Sequence, residues 1–121
     1  MSNPHVLVVD DTLVDRHVVS MALMCHNIRV TAVESVMQAL IVLDSEHDVN
    51  MIVSDYCMPE MTSYDLLMEV KKSPRLAHLP VVIASSDNIP GRIKKCLDGG
   101  AKDYSLKPVK SVDVPRILNY I

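Results

Sequence analysis

Short apolar runs alternate with stretches of helical spacing along this chain, and that alternation leaves few folds open. The runs lie at residues 5–9, 28–33, 51–54, 81–84 and 104–106. The run at 28–33 is short and β-branched, which suits a strand. Between the runs, Val14, Val18, Met21, Ala22 and Cys25 recur at helical spacing and predict the inward face of a first helix. Ser35 is placed to cap a second, with Met37, Leu40, Ile41 and Leu43 facing inward. Thr62 with Asp65 resembles a capping box ahead of Leu66, Leu67 and Val70. Asn88 is placed to cap a fourth helix, with Pro90 in its first turn and Ile89, Ile93 and Leu97 on one face. Gly99 and Gly100 supply its left-handed stop. Ser111 is placed to cap the last helix, with Val114, Ile117, Leu118 and Ile121 apolar and Pro115 tolerated in the first turn. Strands and helices that alternate strictly are βαβ units, so the expectation is one α/β domain over residues 1–121 with a five-stranded parallel sheet and no output domain.

Composition narrows the function. At 49% hydrophobic and 22% charged, the 121 residues belong to a globular chain able to bury a core. A net charge of −3 argues against nucleic acid as a direct partner. No apolar stretch approaches the ~20 residues of a membrane span, and no leader peptide is visible, so a cytoplasmic or nuclear location is expected. The cysteines Cys25, Cys57 and Cys96 are odd in number and widely spaced, which suits small buried apolar roles better than disulfides or zinc. The five histidines lack paired ligand spacing. With no Phe or Trp, the eight methionines are expected to fill core gaps.

The chemistry sits where the runs end. The first stops at Asp10 and Asp11, the third at Asp55, the fourth at Ser85 and Ser86, and the fifth at Lys107 and Pro108. In an open parallel sheet, ligands bind outside the carboxyl ends of the strands. Alone, each feature is commonplace, since aspartates cap helices and Lys-Pro often lies in a surface loop. Together they deliver three carboxylates, a hydroxyl and an ammonium to one edge. Three crowded carboxylates repel by roughly 4 kcal/mol per pair at 4 Å and an effective dielectric near 20. A hard divalent cation such as Mg2+, which takes one or two carboxylates plus phosphate oxygens, removes that cost. Asp55 is the candidate nucleophile, because a carboxylate can accept a phosphoryl group as an acyl phosphate. Lys107 and Ser85 are candidate partners for the phosphoryl oxygens.

Residues 8–11, the segment Asp55, Tyr56, Cys57, Met58, Pro59, the Ser85 position and Lys107-Pro108 together resemble the receiver domain of two-component response regulators, over essentially the whole chain. The resemblance implies a flavodoxin-like fold with strand order 2-1-3-4-5. It implies that Asp55 is phosphorylated by a histidine kinase or a histidine-containing phosphotransfer protein, making the chain a phosphoacceptor and not an enzyme. Asp11 and Asp55 would bind Mg2+ directly, Asp10 largely through water, and the backbone carbonyl of Cys57 would complete the protein ligands. Lys107 would pair with the phosphoryl group, and its peptide bond to Pro108 would be cis. Ser85 and Tyr104 would switch on phosphorylation, reporting to a fourth-helix to fifth-helix face that carries Arg92, Lys94, Lys95 and Lys110 and can support a weak dimer of an otherwise monomeric protein. Cys57 and Asp87, each two residues beyond a site residue, would border the path of hydrolytic water.

Residues 54–62, 79–86 and 106–110 are similar to plant type-A regulators of the cytokinin pathway, which implies a negative regulator of that pathway. One departure stands out. Ser63 occupies a position where the family usually has Gly, and a positive φ there would cost about 1 kcal/mol.

Three other functions fit less well. A pseudo-receiver that docks partners without phosphorylation typically lacks one of the site residues, and all are present here. A magnesium-dependent phosphatase with an Asp nucleophile needs a second carboxylate at position 57, which is Cys. A flavin binder needs a phosphate-cradling loop where this chain has Asp10 and Asp11.

Overall fold

The computed structural model describes residues 3–45, 47–56 and 61–121. Among them the strands β1 (His5–Val9), β2 (Arg29–Val33), β3 (Met51–Asp55), β4 (Val81–Ser85) and β5 (Asp103–Leu106) alternate with helices α1 (Leu13–Met24), α2 (Val36–Asp44), α3 (Ser63–Lys72), α4 (Pro90–Asp98) and α5 (Val114–Leu118). The sheet order is β2-β1-β3-β4-β5, with every neighbouring pair parallel. This is the expected flavodoxin-like arrangement.

Successive residues of a strand face opposite sides, so the central strands feed two cores. Val6, Val8, Met51 and Val53 pack with Val19 and Leu23 of α1 and with Val114 and Ile117 of α5. Leu7, Val9, Ile52 and Ile83 pack on the other side with residues of α2, α3 and α4. Burying each such side chain contributes on the order of 1.5–3 kcal/mol. The capping box of α3 forms as expected: the Asp65 N–H donates to Thr62 Oγ1 at 3.3 Å, and Thr62 N–H donates to Asp65 Oδ2 at 2.8 Å. Ser35 caps α2 by accepting from the Gln38 N–H at 3.1 Å.

The helix faces depart from expectation. In α1 the buried residues are Val19, Ser20 and Leu23, whereas Val14, Val18 and Met21 are exposed, as is Cys25 just beyond the helix. In α2, Val36, Ala39 and Leu43 are buried while Met37 and Ile41 face out. Both helices carry two apolar stripes, and spacing alone does not rank them. The methionine expectation fails in the same places: Met51 fills the core, but Met21, Met24 and Met37 are exposed. Of the cysteines, Cys96 is buried, and Cys57 lies outside the described residues.

Two caps differ as well. Ile89, not Asn88, occupies the N-cap of α4, without a side-chain bond, and Ile89 and Leu97 stay exposed while Cys96 turns inward. Ser111 does not cap α5 but begins a 3-10 turn over Ser111–Asp113 that leads into it, and Ile121 is exposed. At the end of α4 only Gly100 takes a positive φ, 110°, while Gly99 stays helical. That positive φ is what calls for glycine; a Cβ there would also meet Lys71 Cε at 2.9 Å, which the flexible lysine side chain can move to relieve. Among the described residues, no helix is long and apolar enough to cross a membrane.

Candidate functional site

With β1 beside β3, the chain direction across the sheet reverses between them, and the carboxyl ends of these two strands open onto one crevice. Asp10 leaves the end of β1 and Asp55 closes β3, so the sheet order itself brings them together. Asp10, Asp11 and Asp55 each offer a carboxylate oxygen within 4.8 Å of the others, the one such ligand group among the described residues. Asp10 and Asp55 are buried and Asp11 is exposed. Asp10 is fixed on three sides: its N–H donates to Val33 O at 3.1 Å, its Oδ1 accepts from the Thr12 N–H at 3.0 Å, and its carbonyl accepts from Arg16 Nη1 at 2.8 Å.

Lys107 reaches this cluster from beyond β5. Its Nζ lies 2.7 Å from Asp10 Oδ2 and 3.0 Å from Asp55 Oδ1. The Lys107 N–H donates to Ser85 O at 2.9 Å, which fixes the lysine backbone against the end of β4, and the Lys107–Pro108 bond is cis as expected. Burial lifts the Asp55 pKa to about 6; Lys107 pulls it down, and Asp10 and Asp11 push it up again. At neutral pH Asp55 is therefore mostly carboxylate. For Lys107, burial disfavours the ammonium, but hydrogen bonds to Asp10 and Asp55 outweigh that and hold its pKa above the ordinary lysine value.

One acidic residue here escaped the sequence reading. Asp15, in the first turn of α1, places its Oδ2 3.1 Å from Lys107 Nζ. An acid in a first turn is what a helix N-terminus favours anyway, so its pairing with a lysine 92 positions away shows only in the folded chain.

The hydroxyl and the aromatic are both engaged. Ser85 Oγ accepts from the Asp87 N–H at 3.1 Å, and the Tyr104 hydroxyl donates to Asp87 O at 3.3 Å. Of the cations on the fourth-helix to fifth-helix face, Lys94 pairs with Asp98 at 2.7 Å and Lys95 lies 4.2 Å from the Tyr64 ring centroid. Lys110 is the N-cap of the 3-10 turn, and its N–H donates to Asp113 Oδ2 at 2.9 Å. The Cys57 carbonyl lies outside the described residues.

Ser63 does not show the expected strain. It is the first residue of α3, and the positive-φ non-glycine among the described residues is Asn27 at 61°. Its N–H donates to Tyr56 O at 3.0 Å, but its hydroxyl is fully buried without a hydrogen-bond partner. An orphaned buried hydroxyl costs about 1 kcal/mol or more, so Ser63→Ala is expected to raise the melting temperature by about 4 °C. A lower melting temperature would show instead that the hydroxyl is bonded.

The donor set suits a hard cation. Carboxylate oxygens alone, converging from two strand ends beside a lysine, are the ligands that Mg2+ accepts, and no soft ligand is among the three.

Comparison with known proteins agrees with this geometry. Residues 6–119 match the family model described as response regulator receiver domain. The chain is 89% identical to two-component response regulator ORR12 of Oryza sativa subsp. japonica and 86% identical to ORR8 of Oryza sativa subsp. indica, each over the full length of both chains. Among solved structures, a response regulator receiver protein from Pseudomonas putida superimposes with a TM-score of 0.89 at 25% identity, covering 100% of this chain and 99% of that one. The receiver domain of a Pseudomonas aeruginosa sensor histidine kinase, solved with magnesium coordinated in its active-site cleft, gives 0.85 at 26% identity over 97% of this chain and 95% of its own.

Proposed function

This chain belongs to the response regulator receiver domain family, and from that premise we propose that it is the phosphoacceptor of a two-component phosphorelay. Asp55 takes the phosphoryl group of a phosphohistidine carried by a histidine-containing phosphotransfer protein or a histidine kinase. The N–P bond of the donor breaks as an Asp55 Oδ–P bond forms, and the leaving imidazole nitrogen takes up a proton. The observation that carries this reading is the Lys107 ammonium shared between Asp10 and Asp55, in hydrogen-bond reach of the oxygen that would bear phosphorus.

In such a transfer, charge spreads over three equatorial phosphoryl oxygens, and positioned charge does most of the work. Lys107 supplies a fixed positive charge to one oxygen, and Ser85 can donate its hydroxyl to another. Asp10, Asp11 and Asp55 would hold Mg2+, whose charge, when bound, offsets that of the carboxylates and the phosphoryl group. The chain works as an acceptor that is loaded once and later emptied by hydrolysis, not as an enzyme. We read it further as a negative regulator of cytokinin signalling, on the similarity of residues 54–62, 79–86 and 106–110 to plant type-A regulators.

The test is intact mass after incubation with phosphoramidate. A single phosphoryl adduct that forms with Mg2+ and is lost on chelation supports the reading. Folded protein that takes no adduct would favour a docking module.

The same reading puts the donor's docking place on α1. Leu13 and Val14 are 70% and 68% exposed, and with His17 and Val18 they line an apolar hollow next to Asp15, which touches Lys107. An exposed apolar face beside the site supports a protein contact there. Val14→Glu is expected to slow phosphorylation by a protein donor at least tenfold while leaving phosphoramidate labelling within about twofold of wild type. Equal slowing of both would place the effect in the site and not in docking.

A further inference from the structure

Asp87 gathers more contacts than an exposed loop aspartate needs. Its N–H donates to Ser85 Oγ, its carbonyl accepts from the Tyr104 hydroxyl, and its carboxylate accepts from Arg92 Nη1 at 3.1 Å. Arg92, in the first turn of α4, also lies with its guanidinium carbon 4.2 Å from the centroid of the Tyr56 ring. Tyr56 directly follows Asp55, and its N–H donates to Ala84 O at 3.1 Å, just before Ser85. One arginine thus bridges the residue after the phosphoacceptor to the loop after the hydroxyl strand. The Arg92 side chain is only 22% exposed, whereas Asp87 is 53% exposed, so the ion pair reaches solvent on the aspartate side.

The bridge matters because Ser85 Oγ already accepts from the Asp87 N–H, a bond that movement of the side chain toward Asp55 would stretch. To serve a phosphoryl oxygen on Asp55, Ser85 must turn its hydroxyl toward that oxygen, and the turn weakens its acceptance of the Asp87 N–H. Whatever holds Asp87 in place opposes the turn. Tyr104 holds its carbonyl, and Arg92 holds its carboxylate while stacked on Tyr56.

We propose that Arg92 is a positioning residue, a clasp between Tyr56 and Asp87 that stabilises the unphosphorylated arrangement and raises the cost of engaging Ser85 with a phosphoryl group. The proposal rests on the phosphoacceptor reading. A ligand that prefers one of two states shifts the population by its differential affinity, so loosening a contact made in the other state tightens its apparent binding.

The experiment is calorimetric titration of the full chain with beryllium fluoride, a phosphoryl mimic, in saturating Mg2+, alongside thermal melts. Arg92→Gln and Tyr56→Leu are each expected to bind the mimic about fivefold more tightly than wild type, the scale of a partly exposed cation–π contact, to which the exposed ion pair adds little. The double variant should gain less than the product of the two, since both remove the same contact. Arg92→Lys, which keeps the charge but not the planar stack, should fall between wild type and Arg92→Gln. A lower melting temperature with unchanged affinity would reduce Arg92 to a structural contact and overturn the proposal, as would weaker binding in either single variant. Should Arg92→Gln fail to fold, Tyr56→Leu alone decides by the same criterion. If wild type binds the mimic and the variants match it, only the clasp falls. If wild type binds none, the phosphoacceptor reading falls and the clasp with it.

Discussion

In metal-free buffer at pH 7.5, Asp55→Asn is expected to be more stable than wild type by about 2 kcal/mol, although it should take no phosphoryl adduct at all. The carboxyl group of Asp55 is raised from 3.8 to about 6, burial being the main cause. The folded chain therefore holds this proton more tightly than the unfolded chain does. The resulting stability is fully present below pH 3.8 and is lost as the pH rises through 6. Asn has the same shape, carries no charge, and can still accept from Lys107, so the variant escapes that loss. The gap between the two proteins should shrink steadily as the pH falls from 7.5 to 4. Denaturant melts across that range check the slope, and intact mass checks the adduct. A variant less stable than wild type at pH 7.5 would mean that the Lys107 attraction outweighs burial. Opposed effects on stability and function are what a site held ready for a cation should show.

Removing Lys107 should do the reverse. Lys107 is 9% exposed and touches Asp10, Asp15 and Asp55, so Lys107→Met leaves the buried Asp10 carboxylate without its cation. Deleting one partner of a buried pair costs about 3 kcal/mol, or roughly 10 °C in melting temperature for a chain of this size. Millimolar Mg2+ should recover much of that loss, because a second cation can neutralise the same oxygens. Phosphoramidate labelling is expected to slow at least tenfold even with Mg2+ saturating, since the ion cannot also occupy the lysine's place against the phosphoryl group. A loss of stability that Mg2+ leaves untouched would show that Lys107 acts by packing its stem and not by its charge.

The parts of this site that were legible in the sequence share a physical cause. An apolar run that breaks at an aspartate or a lysine marks both a strand and its end, so Asp10, Asp11, Asp55, Ser85 and Lys107 could be placed from composition change alone. The helices were harder. Val14 and Val18 have the spacing of a buried face, yet Val19 and Leu23 are buried instead, because α1 is apolar on two sides and only the sheet decides which is covered. The exposed stripe that resulted is the one assigned above to the donor. Asp15 could not be seen, because its partner lies far along the chain. Ser63 differs for another reason: behind the Thr62 cap it is the first residue of α3 and takes no positive φ, so its cost lies in an unbonded hydroxyl.

The alternation of inward residues along β1, β3 and β4 has a consequence for how such chains can diverge. Within each strand the side chains that build the two cores come first, and the residues with chemistry come last or just after. Core and reaction thus draw on separate positions, and either set can drift while the other stays fixed. A bacterial relative sharing only 25% of residues still superimposes with a TM-score of 0.89. The same separation lets a designer exchange core leucines and valines without touching the acids, or retune the acids without rebuilding the core.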